Sequence, residues 1–296
     1  MSGETISPLA AGHDLSTVMV STLMIFTTQD GEKMMNSQAP RRIRAIACEV
    51  LAREAYYCAA ISRNIVDVQL LPQGLHDVGE SKMSAMLQQA IDEVDPERYQ
   101  AIVLVYGLCN NGIRGLHAPL PMAVARAHDC ITLLLGSHQR YEEMFNDHPG
   151  TYYRSPGWIE RASDDLTNPD STTRQIGMGT YEEYVQKYGK ENADYLYQML
   201  GDKLRHYNRV CYIKPEFSCP SEEHLQHAKR LADERQWETS IIPGSCELIL
   251  KLMNGDWDEE AILDIAPGEV ITPVYDHRVV TASIPQGSVK DKEEIS

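Results

Sequence analysis

The chain has 296 residues, 43% of them hydrophobic and 24% charged, and a formal net charge of −16. That length suits one large or two small α/β cores, and the hydrophobic share is ordinary for a protein with a real interior. So acidic a surface, with no Lys/Arg cluster, repels phosphate backbones and anionic lipid, which argues against nucleic-acid and membrane-surface roles.

Residues 1–40 are expected to form a poorly ordered extension. Their apolar stretch, Val18 to Phe26, is far short of the ~20 residues that span a bilayer. It lacks a basic leader and an obvious cleavage site, so no signal peptide is expected and the location expected is the cytoplasm. The patterned sequence begins after Pro40, which makes Met34 or Met35 a candidate natural start. From Arg42 onward strand and helix signals alternate. Ile43–Ala47 reads as a buried strand, 51–62 as a helix and 66–71 as a second strand. Over 81–94 the spacing predicts a helix with Met83, Met86, Leu87, Ala90 and Ile91 on one face. Residues 101–106 (AIVLVY) form the clearest strand, apolar on both faces as in a sheet covered on both sides. A fourth strand is expected over 123–127, and Ile131 to Gly136 opens a helix.

The polar stretch 148–179 reads as a long loop or lid. Residues 180–207 are expected to be helical. Short strands follow at 210–213, 240–242 and 262–265, with helices over 221–236 and 246–253 between them. Alternation of this kind predicts an α/β fold with a mostly parallel, doubly wound sheet, in two Rossmann-like lobes around a cleft. The expected lobes are 41–147 and 180–280, with a flexible tail over 281–296.

In an open parallel sheet, ligands bind outside the carboxyl ends of the strands. Five of the seven cysteines fall there: Cys48, Cys109, Cys130, Cys219 and Cys246. His76 and His128 join them, while Cys58 and Cys211 read as small core residues. An odd number of dispersed cysteines is not a secreted disulfide framework, so reduced thiols are expected. Asp129 and Ser245 are good N-cap residues, placing Cys130 and Cys246 in first helical turns, where the helix dipole favours thiolate. The plain alternative is that Cys simply fits tight strand–helix junctions.

Three chemistries remain open. Thiolates with imidazoles suit zinc, iron or an iron–sulfur cluster, although neither CxxC nor HxxxH occurs. Cys48, Cys109, His128 and Cys130 are the candidate metal ligands, with His76 in reserve. Alternatively, Cys109 or Cys130 acts as a nucleophile, with His76 or His128 as base and Asp77 or Asp129 orienting it. Gly107 and the Asn110-Asn111-Gly112 turn would then offer N–H donors to an oxyanion. A non-catalytic carrier is the third class, with the Arg140-Tyr141 and Tyr152-Tyr153 pairs lining a lid. Arg126, Arg140 and Tyr141 are the candidate cofactor-binding residues. No GxGxxG, P-loop or GxSxG elbow is present, so no nucleotide is expected.

The stretches YGLCNNGIRGL (106–116), RAHDCITLLLGSHQRY (126–141) and PGTYYRSPGWIE (149–160) resemble a prokaryotic family, domain of unknown function 1638. The segments IRAIACEVLARE, LLPQGLHD, NGDWD and LDIAPGE are similar to it as well. The resemblance covers roughly 43–268. It implies association with corrinoid-dependent methyltransferase systems, and so a setting in methylamine, betaine or methoxy-compound metabolism. A small molecule or metal, and a corrinoid protein or methyltransferase, are the partners it implies. It also implies that the site comprises Cys48, His76, Cys109, His128 and Cys130, leaving Cys219 and Cys246 outside the matching motifs.

Overall fold

A computed structural model describes residues 39–72, 80–109, 111–161, 185–186, 189–190, 192–194, 207–219 and 222–285. The expected N-terminal extension up to residue 38, His76, most of the 180–207 helical region and the tail beyond 285 lie outside the described residues.

The first half builds as the hydrophobic pattern predicts. Strand β1 (Arg42–Cys48) leads through a 3-10 turn (Glu49–Leu51) into helix α1 (Ala52–Ile61). Strand β2 (Ile65–Leu71), helix α2 (Glu80–Asp92) and strands β3 (Ala101–Val105) and β4 (Met122–Ala125) follow. β3 is buried along its whole length, and full burial of each such aliphatic side chain contributes about 1.5–3 kcal/mol. Helix α2 buries Met83, Leu87, Ala90 and Ile91 while Met86 points to solvent.

Helices α3 (Cys130–Leu135) and α4 (His138–Asp147) come next. The polar stretch expected to start a lid instead begins with strand β5 (Thr151–Arg154) and helix α5 (Pro156–Arg161). A strand can form there because Thr151 and Arg154 are both buried, a pattern that reads as loop when only apolar residues are counted. Then come β6 (Arg209–Lys214), α6 (Glu222–Arg235), β7 (Glu238–Pro243) and α7 (Glu247–Asn254). Strands β8 (Ile262–Ile265), β9 (Val270–Pro273) and β10 (Val280–Ser283) close the described chain.

The main sheet has the order β2-β1-β3-β4-β8, and β5-β6-β7 make a separate three-stranded sheet. Both sheets are parallel except that β8 runs antiparallel to β4, pairing Ala125 with Ile262. β9 and β10 form an antiparallel pair. The fold is therefore α/β with a mainly parallel sheet. The 180–280 segment, however, is not one lobe: β6 and β7 belong to the second sheet, whereas β8 completes the first and α7 packs on α1. The reason is the apolar edge of β4, fully buried, which needs a partner strand to satisfy its backbone. Thr281 to Ser283, expected in a tail, are the end of β10.

Helix α5 wedges between the carboxyl end of β1 and the second sheet. A Cβ built on Gly157 would lie 1.7 Å from the Val50 carbonyl oxygen, so only glycine permits this approach. We expect Gly157→Ala to destabilise the protein by about 1–3 kcal/mol, read as a lower urea midpoint with an unchanged m value.

Candidate functional site

The carboxyl ends of β1, β3 and β4 meet beneath α5. The backbone of the β3 loop is tied to the β4 loop, Leu108 N–H donating to Ala127 O at 2.8 Å and Cys109 N–H to His128 O at 2.9 Å. Gly107 makes this close approach possible, because a Cβ there would sit 2.6 Å from the Asp129 backbone. Cys109 is held at φ 46° and Asn111 at φ 66°, left-handed conformations that cost non-glycine residues energy and often mark functional turns. Asp129 caps α3: its Oδ1 accepts from Ile131 N–H at 3.0 Å and Thr132 N–H at 3.2 Å. Its Oδ2 accepts from the Tyr141 hydroxyl at 3.2 Å.

Cys48, Cys109 and Cys130 do converge, close enough for each to disfavour ionisation of another. They lie deep, at 1%, 8% and 5% exposure. Burial pushes the Cys48 thiol up to about 12 and raises Cys109 and Cys130 as well, with the Asp129 charge adding to both. Such thiols are protonated at neutral pH and poor nucleophiles. The expectation of thiolates favoured by helix N-termini is thus reversed: desolvation outweighs the dipole. The sulfurs already receive donors. Trp158 Nε1–H donates to Cys130 Sγ at 3.3 Å, Val50 N–H to Cys48, and Gly107 and Cys130 N–H to Cys109. Among the described residues, no group of three or more His, Cys, Asp or Glu side chains is disposed to hold a metal ion.

The other expected site residues disperse. His128 is exposed, and its ring lies 5.3 Å from that of His138. Arg126 is a structural clamp, donating to the carbonyls of Glu259 at 2.8 Å and Arg278 at 3.1 Å, and also to Val280. Arg140 likewise ties α4 to the Leu135 and Pro243 carbonyls. Cys58 and Cys211 are fully buried, as expected of core residues. Cys246 is itself the N-cap of α7, with Ser245 Oγ accepting from Glu247 N–H at 3.2 Å.

Arg126 also lines a cavity of about 380 Å³ with His138 and His277, and Tyr141 lines another of about 370 Å³ at the carboxyl end of the main sheet. Its walls include Tyr141, Tyr152, Tyr153, Trp158 and Tyr207, with Asp129 and Arg154. The aromatic wall is braced from outside: Trp237 contacts Tyr152 and Tyr207 at 6.1 and 6.0 Å between ring centroids. The Arg154 guanidinium lies 4.4 Å over the Tyr152 ring. The Tyr153 hydroxyl is buried without a hydrogen-bond partner, and burial pushes its pKa up to about 12. Trp158 joins cavity and thiols, its indole lining one and donating to the other. Sequence reasoning missed this residue, although the SPGWIE motif contained it.

Sequence reasoning also missed Glu54, in the first turn of α1. It is 3% exposed, neither carboxylate oxygen has a hydrogen-bond partner, and burial raises its pKa from 4.5 to about 7. A glutamate in a helix reads as a solvent-facing residue, so the only signal was its neighbours Ala52 and Ala55, both buried. Above it, Arg53 clamps Glu160 of α5 with three bonds of 2.5, 2.8 and 2.9 Å, and His224 of α6 meets the same carboxylate at 3.0 Å.

Two outcomes follow from these environments. Alkylation of the native protein at neutral pH should label half-buried Cys219 first, and Cys48, Cys109 and Cys130 only after denaturation, as peptide mass spectrometry would resolve. Between 4.5 and about 7 the folded chain holds a proton on Glu54 that the unfolded chain has released. Stability should therefore fall as pH rises through that window, by at most about 3 kcal/mol, and level off above it. Glu54→Gln should flatten this slope in urea titrations at a series of pH values.

No curated protein and no solved structure matches the chain. Residues 70–253, more than half of it and including Cys109, Asp129, Cys130 and the whole aromatic cavity, match the family described as "Protein of unknown function (DUF1638)". The chain therefore belongs to that family.

Proposed function

We propose that this protein binds a compact organic molecule in the aromatic cavity beside Asp129 and Cys130. The observation that carries this reading is an aromatic cavity wall holding Asp129 and Arg154, with the Tyr153 hydroxyl buried just behind it without a partner. A buried hydroxyl left unpaired costs about 1–3 kcal/mol, which a ligand's polar group would recover. At about 370 Å³ the cavity is at the lower end of ligand pockets and suits a metabolite-sized guest. Its aromatic surface favours an apolar or planar body, and Tyr153 an acceptor or donor on its edge. The thiols beneath supply a dry, close-packed floor through Trp158.

A corrinoid-linked one-carbon setting is part of the proposal and is supported by the resemblance of the YGLC and HDC stretches. A corrinoid macrocycle exceeds this cavity several-fold, so the corrinoid would be carried by a partner protein and the cavity would take the small methylated compound. The cysteine-nucleophile alternative finds no support in thiols held protonated by burial.

A thermal-shift screen of methylated amines, betaines and methoxyaromatics, followed by calorimetry, tests the reading. A ligand of this cavity should bind about tenfold more weakly to Tyr153→Phe, which lacks only the hydroxyl, while the ligand-free melting temperature rises because an unpaired buried hydroxyl is gone. Binding unaffected by Tyr153→Phe would place the ligand elsewhere.

A further inference from the structure

Helix α5 has two working faces. Trp158 and Glu160 are two residues apart and so point to opposite sides of the helix. The Trp158 face lines the cavity and donates to Cys130 Sγ. The Glu160 face is bound by Arg53 of α1 and His224 of α6. Gly157, between them, rests on the Val50 carbonyl. Any change in how α5 seats on α1 is therefore felt at the cavity.

Glu54 lies under that seat. It interacts electrostatically with Arg53 of its own helix and Glu160 of α5. Tyr212 of β6, Cys219 of the loop after β6 and Cys246 at the start of α7 also feel its charge. Of the other elements packed on α1, β1 and the 3-10 turn bring Cys48 and Glu49, β2 brings Asp67, bonded to Arg42 and Tyr99, and α7 brings Glu247 and Lys251, with Lys251 paired to Glu247 and Asp258. Arg53 is the cation whose charge acts on Glu54, and its guanidinium is committed to Glu160. The buried Tyr212 hydroxyl also lacks a partner. An ionised Glu54 would be a buried charge without a counterion, which is far more costly than a buried neutral acid.

We propose that Glu54 is a proton-binding group that governs the ligand cavity through α5. With its proton, Glu54 is neutral, α5 seats on α1, and Trp158 holds the cavity floor against Cys130. When the proton leaves, the uncompensated charge draws in water, α5 loosens and the cavity opens. The inference rests on the aromatic cavity being the ligand site, but its mechanical part can be read without any ligand.

The test uses the full chain with Trp237 and Trp257 replaced by Phe, leaving Trp158 as the sole indole, and acrylamide as quencher. The Trp158 quenching constant should rise by a factor of about two between pH 6 and pH 8, a step centred near Glu54's titration. In Glu54→Gln, which mimics the protonated form, it should stay low throughout. Hydrogen exchange of the α5 amides in the otherwise native chain, corrected for intrinsic pH dependence, gives the same readout without the Trp substitutions. Quenching and exchange that are flat across this range in the parent chain would overturn the proposal. So would a step that persists in Glu54→Gln, since it would belong to another group. Failure here leaves ligand binding to be judged by the Tyr153→Phe comparison alone, so the two readings fall separately.

Discussion

Parallel strands end in loops whose backbone groups must be satisfied, and in this molecule one six-residue helix packs on the ends of both β1 and β4. That cover works only because Gly157 lets the α5 backbone rest on the Val50 carbonyl. From this contact the rest of the region takes its position. The Trp158 indole reaches Cys130, the Glu160 carboxylate reaches Arg53, and β5, directly before the helix, pairs with β6 to start the second sheet. A side chain at residue 157 would push the helix outward and separate all three.

Burial decides the chemistry of the cysteine layer. A first-turn position such as that of Cys130 gains at most about 1 kcal/mol of thiolate stabilisation from the helix dipole. Complete removal from water costs an ionised thiol more than this, and the Asp129 carboxylate adds repulsion. The same aspartate that builds the helix start therefore keeps its neighbour protonated. The thiols act here as polarisable packing atoms with weak hydrogen-bond capacity, and the polar potential of the region is concentrated in Tyr153 and Glu54 instead.

Much of this was legible beforehand because periodic burial writes itself into sequence. The AIVLV run of β3, the capped start of α3 at Asp129 and the Ile262–Ile265 strand read correctly, and strand ends pointed to five cysteines that the family resemblance narrowed to Cys48, Cys109 and Cys130. What escaped was whatever depends on distant partners. β5 was hidden because its buried positions are Thr and Arg, satisfied by tertiary contacts. The bonds of Arg126 and Arg140 to backbone carbonyls could not be read in advance, because an arginine that clamps carbonyls has the same sequence signature as one that awaits an anion. Glu54 was hidden because desolvation comes from α5 and β6, more than a hundred residues away in the chain.

The return of β8 to the edge of β4 has a consequence for how the protein is made. Ala125 pairs with Ile262, so the main sheet stays one strand short until the whole second sheet has been synthesised. During that interval a fully apolar strand offers an unpaired edge, the kind of surface on which chains join one another. Closing so long a loop is also a slow step in folding. The nascent chain is therefore most exposed to misassembly late in its synthesis, and a chaperone that shields β4 over that stretch would protect it more than one acting on the early strands.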